Sequence, residues 1–217
     1  HMVMIPIELG IAVMLNSGFK GAKLVKTIAF LPFIINGVGM SYAFSYFFSP
    51  VNGAFNQILT GLGLSGWICK WLSDPAIVNF VLAAVSAWRF SGYHIVLIST
   101  GLTSIPTEMM EAARIDGANG WQIATKIKLP NVRGAALLAM LLSIVGTIQL
   151  FNEPQIMSTA DPGISKAYTP MMMAMNTSQG TLTPSGDGPA SAIAVVMALI
   201  AGLLAVVWTL AERKVSE

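Results

Sequence analysis

Seven ionisable residues crowd into one stretch between Gly101 and Gly134: Glu108, Glu111, Arg114, Asp116, Lys126, Lys128 and Arg133. The whole chain is only 10% charged. This is therefore the interval where side chains meet water and can make ionic contacts with a partner. They do not make a catalytic set. No nucleophile stands beside a base, no carboxylates are paired in a soluble region, and no phosphate-cradling GxxxxGKS/T run occurs. The two histidines, His1 and His94, and the single cysteine, Cys69, supply neither a metal cluster nor an internal disulfide. Two further polar groups lie inside apolar runs. One is Trp88, Arg89, Tyr93 and His94; the other is Gln149, Asn152 and Glu153. Ionisable side chains in such runs are costly and face a partner or a wet cavity. The chain is read as a non-enzyme with no catalytic, metal-binding or cofactor-binding residues.

The charged stretch has a legible local structure. Pro106 suits the first position of a helix, where its missing N–H costs nothing. Glu108 and Glu111 follow in the first turns, favoured by the helix dipole. Gly117, after Asp116, fits a left-handed position that ends this helix. Asn119 with Gln122 three residues on reads as a capping box for a second helix. That helix carries Trp121, Ala124 and Ile127 down one side and ends at Leu129-Pro130. The stretch is thus two short helices joined by a sharp turn at Gly117.

Composition sets what must position them. Hydrophobic residues make up 54% of the 217, and mean hydropathy is +0.69. A soluble domain carries about 25% charged residues, so this is an integral membrane protein. A net charge of +2 gives no case for nucleic acid. A span needs about 20 mostly apolar residues. Thr27–Phe48, Ala76–Leu102, Ala135–Met157 and Ala190–Leu210 meet that, and Met2–Leu15 is a partial span. The expected fold is an all-α polytopic membrane helical bundle, about four full transmembrane helices plus a partial N-terminal one, in a single domain over residues 1–217. Between spans, Ala54–Leu62 reads as a short interfacial helix, with Trp67 and Trp71 at the surface. Tyr42, Tyr46, Phe47 and Phe48 read as an interfacial aromatic belt. The patch YTPMMMAMN reads as a short helix on the outer surface, its methionines either a plastic contact surface or membrane-facing packing. Lys20, Lys23, Lys26, Arg114, Lys126, Lys128, Arg133, Arg213 and Lys214 fall on one side, Lys70 and Lys166 on the other. The positive-inside rule makes the first side cytoplasmic.

Glu111-Ala112-Ala113, then Gly117 four residues later, then Ile127-Lys128-Leu129-Pro130, resembles the EAA loop of permease subunits of ABC importers. The version here is most similar to the carbohydrate, maltose-type branch. The resemblance implies the type I importer permease fold, in the cell (inner or plasma) membrane. Loop 102–133 and the C-terminus would be cytoplasmic, and the short helix would dock in a cleft of an ATPase subunit. It assigns the coupling loop to Glu111, Ala112, Ala113, Asp116, Gly117, Leu129 and Pro130. ATP would be bound by that ATPase partner, not by this chain. Further implied partners are a second permease subunit, an extracytoplasmic solute-binding protein and the bilayer. The family begins with further membrane helix, so Met2–Leu15 is read as the end of a longer one and the chain as N-terminally truncated. Gly134 departs from the family, which often has proline there, and Ser158–Gly163 (STADPG) replaces a Gly-rich turn.

Alternatives stand beside these readings. The loop can be an ordinary cytoplasmic helix–turn–helix. Trp88, Arg89, Tyr93 and His94 can line a translocation path, with the aromatic rings stacking on a sugar, or form a structural ion pair or a helix break at Gly92. Gln149, Asn152 and Glu153 can bind solute hydroxyls, or Glu153 can neutralise Arg89. The solute can be a sugar, glycerol phosphate or a polyamine. A channel or secondary transporter working without ATPase is disfavoured, because only Glu8 and Glu153 come close to an intramembrane acid.

Overall fold

The structure is a computed structural model that describes residues 3–160, 164–165, 168–184 and 186–216. Among the described residues every regular element is helical: α1 (Met4–Leu15), α2 (Ala22–Ile34), α3 (Gly37–Phe47), α4 (Ala54–Gly61), α5 (Val78–Thr103), α6 (Thr107–Ile115), α7 (Gly120–Ile123), α8 (Leu129–Asn131), α9 (Arg133–Ile148), α10 (Asn152–Ala160), α11 (Pro170–Ser178) and α12 (Asp187–Ser216). A 3-10 turn, Ser65–Trp67, follows α4, and a π-helical turn, Ala124–Lys128, joins α7 to α8. The all-α membrane-helical expectation holds. Val78–Thr103, Arg133–Thr159 and Asp187–Leu210 are long and apolar enough to cross a membrane, and α2 with α3 makes a fourth if taken as one broken span.

That broken span corrects the reading of Thr27–Phe48 as one helix. Helix α2 tolerates Pro32 but stops at Ile34. Asn36 then caps α3, its Oδ1 accepting from the N–H groups of Val38 (2.9 Å) and Gly39 (3.4 Å). An asparagine followed by Gly37 and Gly39 favours a new N-terminus over continuation. Gly92, by contrast, does not break α5, which runs through it unbroken. Lys166 and residues 161–163 of the outer turn lie outside the described residues.

The chain forms two compact units. The first comprises His1–Ile34, Trp88–Ile144 and Gly202–Glu217. Its core is Ala12, Leu15, Ala22, Ile95, Ile98, Leu102, Ile105 and Val132. Here α2 touches α5 backbone to backbone: a Cβ at Gly92 would overlap the Ala29 carbonyl. Phe33 stacks on Tyr93 with centroids 4.8 Å apart and meets Phe90 edge-on at 6.0 Å.

The second unit comprises Ile35–Ala87 and Val145–Ala201. Helix α10 packs on α3, and the core gathers Met40, Leu72, Val81, Leu82, Val85 and Met157. Trp71 donates its indole N–H to Asn56 Oδ1 (2.7 Å), tying the chain after α4 back to that helix. Trp71 is therefore partly enclosed, whereas Trp67 is exposed as expected. Helix α11 is seated more deeply than a surface helix: Met172, Ala174, Asn176 and Thr177 are buried, and Asn176 donates to Gln155 Oε1 at 2.9 Å. Met172 thus serves packing, whereas Met173 is exposed.

Gly92→Ala is expected to destabilise the chain by about 1–3 kcal/mol, the usual cost of overpacking. Gly10→Ala, inside α1 where a Cβ meets nothing within 4 Å, is expected to stabilise by up to about 1 kcal/mol through helix propensity. Thermal unfolding of both variants in detergent checks the pair.

Candidate functional site

The charged stretch leaves the first unit's core at Ile105 and returns to it at Val132, both buried. Helix α6 starts at Thr107, so Pro106 sits one position earlier than expected, at the N-cap, where it supplies no side-chain acceptor. At the other end the expectation for Gly117 is met: its φ is +83°. The Gly117 N–H donates to Arg114 O (3.0 Å) and the Ala118 N–H to Ala113 O (2.9 Å). This is the paired bonding that closes a helix through a left-handed residue. The capping box is also present. Asn119 Oδ1 accepts from the Gln122 N–H at 2.9 Å, and Gln122 Oε1 accepts from the Asn119 N–H at 2.8 Å.

Beyond α7 the helix neither ends at Leu129-Pro130 nor stays α-helical. From Ala124 to Lys128 it widens to a π turn, and the Leu129 N–H reaches back to Ala124 O. Pro130 explains the widening. Its ring clashes with the carbonyl four residues back in a regular helix and it has no N–H to give; an inserted residue relieves both. The Asn131 amide then donates to Ile127 O (2.7 Å), and α8 runs into α9 at Val132. On the side expected to carry Trp121, Ala124 and Ile127, only Ala124 and Ile127 are half-buried. Ile123 is the buried residue instead, and Trp121 is 76% exposed. Gly134 lies in the first turn of α9 with open space around its Cβ position.

These turns present an exposed face. On α6, Glu108, Glu111, Ala112 and Ile115 follow helical spacing and all are exposed; Ile115 is 86% exposed. Ala113 is half-buried, and Asp116 and Gly117 are exposed at the tip. Ala113, Asp116, Gly117, Gln122, Lys126 and Ile127 line a recess of about 290 Å³ in the crook of the two helices. Leu129 is partly exposed and Pro130 half-buried at the exit. Lys128 is buried. Burial first, and the charge of Arg114 second, push its ammonium below the ordinary lysine range. Sequence reasoning missed the outward Ile115 and Trp121; an apolar residue amid charges at a helix tip was the available signal.

The other candidates are divided between the two units. His94 is buried, with Nδ1 3.1 and 3.2 Å from the carboxylate oxygens of Glu8, itself buried. This is the structural-pair alternative for His94, with a partner the sequence left unassigned. Both residues lie in apolar runs and require each other for that reason. Arg89 places its guanidinium over the Phe90 ring at 5.1 Å. Trp88 is exposed and Tyr93 half-buried against Phe33. In the second unit, Gln149 and Asn152 are exposed around the break between α9 and α10, while Glu153 is buried in the first turn of α10.

The fold and site are those of a helical membrane protein that presents a capped, charged helical hairpin. The chain belongs to the family of binding-protein-dependent transport system inner membrane components, whose pattern matches residues 7–217. These are transport components and not enzymes. It is 30% identical to the osmoprotective compounds uptake permease protein GgtC of Synechocystis sp. over 90% of this chain and 70% of that one. It is 32% identical to the lactose transport system permease protein LacF of Rhizobium radiobacter over 70% of this chain and 51% of that one. The matches thus span from about half to seven tenths of these relatives' own lengths. A crystal structure of a bacterial ABC transporter that imports the acidic polysaccharide alginate shares the fold: TM-score 0.77, 23% identity, covering 98% of this chain and 73% of that one.

Gly117→Ala forces a left-handed φ on a residue with a Cβ and is expected to cost about 1 kcal/mol locally. Hydrogen exchange over residues 107–131 should quicken, and Gly120→Ala should leave it unchanged. For Lys128 the sign follows from its lowered value: between the folded and the ordinary lysine value the folded chain binds fewer protons than the unfolded. Stability therefore rises as pH climbs through that alkaline window. Lys128→Met is expected to abolish this slope and to be neutral or stabilising at pH 7, read by thermal unfolding against pH.

Proposed function

We propose that the chain is the membrane-spanning subunit of an ATP-driven importer of sugar-type solutes, and that loop 102–133 couples it to a separate ATPase. The observation that carries this reading is the hairpin itself. Its tip is locked by the Gly117 turn and the Asn119–Gln122 box, and it holds Glu111, Ala112 and Ile115 outward. In the coupling role Glu111 makes ionic contacts and Ala112 and Ala113 permit close approach. Asp116 and Gly117 shape the turn, and Leu129 and Pro130 brace the exit. Closure of two ATPase subunits moves the hairpin as a body and carries the ends of α5 and α9 with it. The nucleotide belongs to those partners, and this chain binds no cofactor. A second permease chain and an extracytoplasmic solute-binding protein complete the assembly; the family's description as binding-protein-dependent supports the latter. The lactose permease relative supports the solute class.

The proposed orientation places the loop and C-terminus in the cytoplasm. Lys20, Lys23, Lys26, Arg114, Lys126, Lys128 and Arg133 all belong to the first unit, as do positions 213 and 214, whereas Lys70 belongs to the second. The concentration of cations in and around the loop supports the orientation through the positive-inside rule. Trp88, Arg89 and Tyr93, with Gln149, Asn152 and Glu153, remain the proposed path residues. His94 enters that set only by bracing α5 through Glu8.

The test is co-purification in detergent with the ATPase subunit of the same organism. Wild type is expected to retain the ATPase, and Gly117→Asp and Glu111→Lys to lose it or to lose about tenfold or more of stimulated hydrolysis, as for interface hot spots. Solute uptake that persists after every ATPase is removed would sink the proposal.

A further inference from the structure

The second unit holds a cavity that neither the loop nor the proposed path residues explain. Its volume is about 320 Å³, and Tyr42, Tyr46, Ser45, Ser49 and Thr159 surround it above Leu72. Small-molecule sites begin at about 300 Å³. Tyr42 and Tyr46 lie one turn apart on α3, so their rings leave the same face. The two residues are 50% and 74% exposed, and among the described residues neither phenol has a hydrogen-bond partner.

The remaining hydroxyls are differently disposed. Ser45, buried at 4% exposure, donates to the Tyr42 carbonyl at 2.8 Å. Thr159 donates to the Ile156 carbonyl at 2.6 Å. Ser49 donates to Val51 O (3.0 Å) and accepts from the Val51 N–H (3.3 Å). With their protons committed, Ser45 and Thr159 keep only lone pairs for a ligand, while the phenols still offer protons. The wall therefore combines aromatic faces, free donors and free acceptors, and it carries no charged side chain. An aromatic belt at a bilayer surface requires the tyrosines but not a serine and threonine recess behind them.

We infer that this cavity is a subsite for a neutral, polyhydroxylated solute. A pyranose ring lies against Tyr42 or Tyr46, its hydroxyls accepting from the phenols and donating to Ser45 and Thr159. A charged solute finds no counter-charge in the wall and is discriminated against by its desolvation. The inference deepens the proposed transport function and takes the solute class from it.

The test uses the full chain in lipid nanodiscs, titrated with maltose and lactose and, as a charged comparator, with glucuronate. Binding is read by saturation-transfer NMR. Saturable binding of at least one neutral sugar, in the range of about 1 mM, is expected, with none for glucuronate. Tyr42→Ala and Tyr46→Ala should weaken it about tenfold through lost stacking. Tyr42→Phe, which keeps the ring and so guards against a folding artefact, should weaken it about threefold through one lost hydrogen bond. Absence of saturable sugar binding by wild type, equal binding of glucuronate, or binding unchanged in both alanine variants overturns the inference. Because this assay contains no ATPase, the two proposals fail separately. A chain that binds sugar but retains no ATPase refutes only the coupling, and one that retains ATPase without binding sugar refutes only the subsite.

Discussion

The first unit depends on a contact between two backbones. At Gly92 helix α5 presents no side chain, and α2 comes in at Ala29 until the carbonyl fills the place a Cβ would take. Lipid tails are as apolar as leucine, so helices in a bilayer gain little by hiding apolar surface from them. They gain from close packing at small residues and from polar pairs. Both occur here within two positions of α5. Gly92 supplies the close approach, and His94 supplies the polar bond to Glu8 on α1. Farther along the same helix, Ile95, Ile98 and Leu102 meet Ala12, Leu15 and Ala22. The order along α5 is thus contact, polar tie, apolar core, and the hairpin begins where that core ends.

The hairpin can act as a body because its own backbone leaves little to move. A helix end normally leaves unpaired groups, and this loop pairs them locally. Carbonyls at the end of α6 are taken by the Gly117 and Ala118 N–H groups, and donors at the start of α7 by the Asn119–Gln122 box. The π turn accommodates Pro130, with the Leu129 N–H still bonded to Ala124 O. Ile105 and Val132, at the two ends, are planted in one apolar cluster. On the proposed coupling, a push at Glu111 would pass through these locally paired turns to the ends of α5 and α9.

Where the chain follows local rules, the sequence was readable. The Gly117 turn and the capping box rest on a few adjacent residues whose backbone needs are strong, and both are present. The long spans follow from apolar length alone. What failed needed knowledge of neighbours or of competing local options. Asn36 caps α3 because it precedes two glycines, yet the apolar run around it reads as uninterrupted. Pro130 was taken as a stop because a wider helical turn was not weighed against one. Gly92 reads equally as a break or a contact until Ala29 is known to lie against it. Glu8 and His94 are far apart in sequence, and no spacing rule joins them. The Tyr42 cavity needs Thr159 from another helix, so only the two tyrosines were visible, and they looked like a belt.

The tip of the hairpin carries one further constraint. Ile115 is 86% exposed, with Glu111, Arg114 and Asp116 beside it in sequence and exposed as well. Trp121, 76% exposed, follows across the turn. An apolar centre with a charged rim is the usual anatomy of a protein interface, and tryptophan is among the residues that most often dominate such binding. On the proposed docking the two kinds of residue do different things. Burial of Ile115 and Trp121 supplies attraction but no direction, since apolar contact is indifferent to rotation about the tip. The charges supply the direction, because a wrong register brings like charges together. Removal of the apolar centre should thus weaken docking as a whole. Reversal of one rim charge should leave contact area intact and turn the hairpin within its cleft, so that the ATPase is held but its closure is no longer transmitted to α5 and α9.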